Sequence, residues 1–127
     1  TASVTSSTSL NLDFPYKGEQ WPVFAFRSHP KYGRDAILMI DEGQILCHSY
    51  SSCTISISFD GKPPKNYEAY GAADNSTTTA FIRGHDRIIQ QLAGAKEMKV
   101  QFPLYQNGEP VLTFNVEGFK REKYQQK

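Results

Sequence analysis

No uninterrupted apolar run in the 127 residues approaches the roughly eighteen that a membrane-spanning helix needs. Neither sign of charge is in excess: 14 Lys and Arg face 13 Asp and Glu, for a formal charge of +1. That balance argues against a nucleic-acid clamp, which carries a clear basic surplus, though it leaves room for a local patch. Cysteine occurs twice and tryptophan once. No G-x-S-x-G elbow, H-E-x-x-H pair or D-x-D-x-D-G loop is present, so the usual signatures of serine hydrolases, zinc proteases and calcium loops are missing. No internal repeat is visible, and nothing calls for a cofactor.

What is there is a globular composition. Apolar residues make up 39% and aromatics 13%, enough for one domain with a single core. Residues 1–9 hold seven Ser or Thr (Thr1, Ser3, Thr5, Ser6, Ser7, Thr8, Ser9). Such a stretch suits a flexible tether between a processed N-terminus, lipid-anchored or free, and a folded body at 10–119. The same composition fits a piece trimmed from a longer protein. The end, 120–127 (KREKYQQK), reads as a charged tail.

Period-two patterning dominates the middle. Leu10, Leu12 and Phe14 alternate with polar residues, predicting a strand over 9–14, and 23–27 predicts a second. Between them lies a loop holding Trp21. Residues 35–41 (DAILMID) are apolar on both faces, as in a strand covered on both sides. Gln44 to Cys47 predicts a return strand. From 53 to 59, Cys53, Ile55, Ile57 and Phe59 oppose Thr54, Ser56 and Ser58, the pattern of a half-buried antiparallel strand. Asp60-Gly61 is a hairpin turn signal, and 66–70 and 77–82 read as further strands. Ile88, Ile89, Leu92 and Ala95 recur at helical spacing, predicting one short helix at about 85–94, started by Gly84 or Asp86 and stopped by Gly94. The final hairpin is predicted with a three-residue loop 106–108 and Gly108 left-handed, pairing Phe102 with Leu112 and Val100 with Phe114. The sum is a mainly β fold: an antiparallel β-sandwich or flattened barrel with one short α-helix packed on a sheet.

Five residues separate Cys47 from Cys53, each at the end of a predicted strand. Adjacent antiparallel strands bring facing residues to disulfide distance, so a hairpin clamp is predicted. So short a loop adds only about 2 to 2.5 kcal/mol in the chain-entropy model. Its larger meaning is an oxidising compartment, hence export. A metal pair would need more ligands than His48 supplies, and two free thiols are the remaining alternative. His29, His48 and His85 read as solvated polar residues. Asn75-Ser76-Thr77 matches a glycosylation acceptor. Arg27, His29, Lys31, Tyr32 and Arg34 form a basic, aromatic cluster, the best local candidate for contact with an anionic group or a partner protein; a solvated loop is the plainer reading.

Three stretches taken together carry a resemblance: HPKYGRDAILMIDEGQILC, then CTISISFDG, then FIRGHDRIIQQLAGAKEMKVQFPLYQNGEPVLTFNVEGF. Over residues 29 to 119 the pattern resembles small periplasmic or lipoprotein-type proteins of Gram-negative bacteria. It is also loosely similar to the invasion-associated locus B family and to accessory proteins of type VI secretion. The resemblance implies a location in the periplasm or on the periplasmic face of the outer membrane, and a non-enzymatic role. The expected function is binding of a protein partner, as an accessory of a secretion or conjugation system. An inhibitor or immunity protein that blocks a cell-wall-degrading enzyme or toxin is the alternative, although an S-G-x-x-Y inhibitor loop is absent.

Overall fold

The structure is a computed structural model that describes residues 2–11, 19–29, 33–47, 53–71, 77–104 and 108–117. Eight strands form one antiparallel sheet: β1 (Ala2–Thr5), β4 (Val23–His29), β5 (Gly33–Met39), β6 (Cys53–Phe59), β7 (Lys65–Gly71), β8 (Thr79–Ile82), β9 (Glu97–Gln101) and β10 (Val111–Asn115). Their spatial order is β1-β4-β5-β8-β7-β6-β9-β10. The two outer strands then approach one another. The Ser7 N–H donates to the Thr113 carbonyl (2.8 Å), and the Thr113 N–H donates to Thr8 Oγ1 (3.0 Å). The sheet is thus nearly closed into a barrel, which leaves little edge exposed. Strands β2 (Leu10–Asn11) and β3 (Glu19–Gln20) make a small separate ribbon. One helix, α1 (His85–Leu92), completes the fold.

Alternation decides which side chains fill the barrel. Phe24, Phe26, Leu38, Ile55, Ile57, Ala69, Ile82, Met98, Val100, Leu112 and Phe114 point inward and are buried. The predicted 53–59 strand is β6 itself, residue for residue. Its turn is the expected one: Asp60 (φ 51°) and Gly61 (φ 75°) are both left-handed, and the Lys62 N–H closes on the Phe59 carbonyl (2.9 Å). Strand β5 explains the doubly apolar DAILMID segment. Its inner row, Ala36 and Leu38, joins the core, while outward Ile37 sits between Ala25 and Phe81 in a cross-strand row and is 8% exposed.

Three expectations are corrected. Ala2–Thr5, read as tether, pair with β4 from Ala2↔Phe26 to Thr5↔Val23, because the edge of β4 offers main-chain partners to residues whose side chains promise little. Gln44 to Cys47 is not a strand: only Ile45 bridges, to Leu104. The last hairpin keeps the predicted faces but slides by two residues, pairing Leu112 with Val100 and Phe114 with Met98. The Leu104 N–H bonds to the Gly108 carbonyl (2.9 Å), Gly108 being left-handed as expected, and the ladder ends where Pro110 has no N–H to give. Helix α1 falls where the helical spacing places it, with the left-handed Gly94 (φ 81°) just past its end.

The two mouths are stoppered differently. Beyond the ends of β4, β6 and β8, helix α1 buries Ile88, Ile89 and Leu92 against the core. At the opposite mouth the segment 40–47 crosses as a strap. The Ile40 N–H bonds to the Thr78 carbonyl (2.9 Å) on one side, and the Leu46 N–H bonds to the Pro103 carbonyl (3.0 Å) on the other. Ile40, Ile45 and Cys47 turn into the core. No described helix is long and apolar enough to cross a membrane.

Candidate functional site

The disulfide is present, with Cα atoms 5.1 Å apart. Its setting differs from the predicted clamp. The ladder neighbours of β6 are β7 and β9, so Cys47 is not on a hairpin partner. Cys47 ends the strap, and its bond to Cys53 anchors the strap to the first residue of β6. The other anchor is Gln20, at 6% exposure. Its Oε1 accepts from the main-chain N–H groups of Asp41 and Glu42, and its Nε2 donates to the Glu42 carbonyl (2.8 Å). A third tie runs from Thr77 Oγ1 to the Gly43 carbonyl (3.2 Å).

Three large apolar side chains are exposed in the described structure: Trp21 at 50%, Val111 at 50% and Leu46 at 41%. All three lie at the strap end. Trp21 joins β3 to the start of β4 and is followed by Pro22, whose carbonyl accepts from the Ser6 N–H (2.7 Å) just past the end of β1. Val111 opens β10, across the seam from β1, opposite Gln101. Leu46 is tied to Pro103, just beyond the end of β9. Following the strand order around the rim, the three occupy successive stations. Exposed apolar groups scattered singly mean little, but gathered at one place they mark contact surfaces. Sequence reading placed Trp21 in a loop without marking it as a site residue; nothing in the residue string shows that three distant positions share a rim.

The predicted basic cluster is dispersed among partners. Arg27 makes a two-pronged contact with Asp35 (Nε–Oδ1 3.1 Å, Nη2–Oδ2 2.7 Å), with its guanidinium 5.5 Å from the centre of the Phe81 ring. Arg34 reaches Asp86 (3.3 Å). Lys31, Tyr32 and the side chain of His29 lie outside the described residues, as do His48 and the Asn75-Ser76 part of the glycosylation pattern. Two further arginines, not singled out by the sequence, stack on tyrosines: Arg83 over Tyr70 (4.7 Å) and Arg87 over Tyr67 (5.2 Å). Guanidinium planes set on rings in this way keep their N–H edges directed outward.

His85 is not solvated as expected. It is 5% exposed at the start of α1, edge-on to Phe26, with Nδ1 2.8 Å from Asp86 Oδ1. The Asp86 carboxyl is held below its ordinary range, first by this hydrogen bond and then by Arg34. The pair joins the helix start to the β4–β5 hairpin, since Arg34 follows the hairpin bend at Gly33. A cleft of about 350 Å3 lies along the β1–β10 seam, lined by Ser7, Lys96, Glu97, Thr113, Asn115 and Glu117. Its lining is polar and of mixed charge. No group of three or more metal-ligating side chains occurs among the described residues.

No family model matches this chain, and no curated protein or solved structure is similar to it.

Proposed function

We propose that this chain is a non-enzymatic binding protein of a Gram-negative cell envelope, exported to the periplasm, that grips a protein partner with the strap end of its barrel. The role that fits is an accessory of a secretion or conjugation apparatus. The observation that carries this reading is the gathering of Trp21, Leu46 and Val111 at one rim. A tryptophan held at half exposure beside other apolar groups is the composition of an interface anchor. The Cys47–Cys53 disulfide is compatible with an oxidising compartment and supports export.

Site-directed photo-crosslinking in cells tests the reading. A photoreactive residue at Leu46 or Val111 should give a protein adduct, and one at Gln90, exposed on α1 at the other mouth, should not. Trp21→Ser should reduce the adduct about tenfold, the scale of an interface hot spot, while leaving the melting temperature within a few degrees. Equal adducts from the rim and from α1 would sink the proposal. The partner's identity then separates an apparatus accessory from an inhibitor of a cell-wall hydrolase. Alkylation showing two free thiols in the cellular protein would remove the compartment argument.

A further inference from the structure

Charge is unevenly placed along the barrel. The charged residues described at the strap end are all acidic: Glu19 beside Trp21, Asp41 and Glu42 on the strap, and Glu109 two residues before Val111. Glu19, Asp41 and Glu42 belong to one place, because the Gln20 carboxamide binds the main chain of Asp41 and Glu42 directly. All are exposed. No Lys or Arg is described at that end; Lys99, two residues in from the rim, turns toward Glu97 (3.9 Å). The described arginines lie elsewhere, Arg27, Arg34, Arg83 and Arg87 falling in the half of the molecule nearer α1.

We infer that the partner surface for the strap end is cationic as well as apolar: a polypeptide segment presenting Lys or Arg around aliphatic or aromatic anchors. This rests on the strap end being the docking surface, and it adds the partner's chemistry. The apolar side chains supply contact area. The carboxylates beside them reject an acidic surface through like-charge repulsion and favour a basic one, steering its approach. Trp21 strengthens the preference, since an indole face is the best of the aromatic platforms for a guanidinium or ammonium.

The test uses the whole protein and two synthetic peptides of equal length with the same leucines. One carries Lys and Arg at the remaining positions, the other Glu. In a 15N-resolved titration at low salt, the basic peptide should shift amides of residues 19–21, 41–47 and 109–112. The triple neutralisation Glu19→Gln/Asp41→Asn/Glu42→Gln should weaken it about tenfold, and added salt should do likewise. Trp21→Ser should weaken it too. Unchanged basic-peptide affinity in the triple variant, or shifts centred elsewhere, overturns the inference. If the acidic peptide binds the rim equally well and still depends on Trp21, the cationic partner is wrong while the docking end stands. If neither peptide touches the rim and the crosslinks are also absent, the docking end itself falls. Concentration-dependent self-association abolished by Trp21→Ser would show that a second copy covers the face, and would equally overturn a separate cationic partner.

Discussion

The two mouths of the barrel are closed by opposite means. At the helix end, closure is apolar: Ile88 and Leu92 are fully buried, and even His85 is packed edge-on against a core phenylalanine. At the strap end, apolar burial by Ile40 and Ile45 is supplemented by directional ties. These are the Gln20 carboxamide, the Thr77 hydroxyl and the Cys47–Cys53 bond. Directional ties fix a backbone without consuming every side chain on it. The strap can therefore be held while Leu46 faces outward, whereas every apolar residue of α1 is committed inward. One end maintains the fold; the other is free to make contacts.

This contrast predicts unequal costs. Ile88→Ala removes buried methyl and methylene groups from beneath a helix too short to persist alone, and should destabilise the domain by about 2–4 kcal/mol. Urea denaturation followed by tryptophan fluorescence measures it, with Trp21 as the probe. A loss well under 1 kcal/mol would mean that the helix is dispensable to the core and that the two ends do not differ as argued.

Opening the other end should cost less. The double variant Cys47→Ser/Cys53→Ser removes a closed loop of a few residues, a constraint of about 2 kcal/mol. Because Gln20 and Thr77 still hold the strap, the barrel should stay folded. Amide exchange should rise at residues 45–47 and not in α1. Protection lost equally at both ends would break the comparison, showing that the disulfide supports the whole domain rather than the strap alone.

How much of this was legible in the residues follows from which forces act locally. Strand β6 and its Asp60-Gly61 turn were readable because alternation and left-handed turn chemistry are properties of neighbours in sequence. The stripe of α1 was readable for the same reason. Strand β1 was not. Ala-Ser-Val-Thr shows little pattern, and its pairing is supplied by β4 from twenty residues away. The disulfide partners were identified correctly and their setting was not. Spacing brings Cys47 near Cys53 but does not say that β6 finds β7 and β9 as its neighbours. The rim lay furthest from view. Trp21, Leu46 and Val111 are brought together only by closure of the sheet, a long-range event with no local signature.

The smallest predicted effect belongs to the helix end, at the β6–β7 turn. Asp60 Oδ1 accepts from the main-chain N–H groups of Glu97 (2.9 Å) and Lys96 (3.0 Å), pinning the segment that carries the chain from α1 into β9. These two bonds, Glu97 first, hold the Asp60 carboxyl below its ordinary range, with Lys62 and Lys96 adding a weaker pull. The folded value is depressed relative to the unfolded one. The stabilisation is therefore fully present above the ordinary aspartate value of about 3.9, and is lost as pH falls through the lower folded value. Asp60→Asn keeps an acceptor oxygen but loses the charge. The melting-temperature gap between wild type and this variant should be small and constant at neutral pH, and should close below pH 4. Carboxyl-detected titration should place the Asp60 midpoint under that of an unstructured aspartate. A midpoint at or above the ordinary value would mean that the turn does not grip the β9 entry, and that this polar tie, unlike those of the strap, holds nothing.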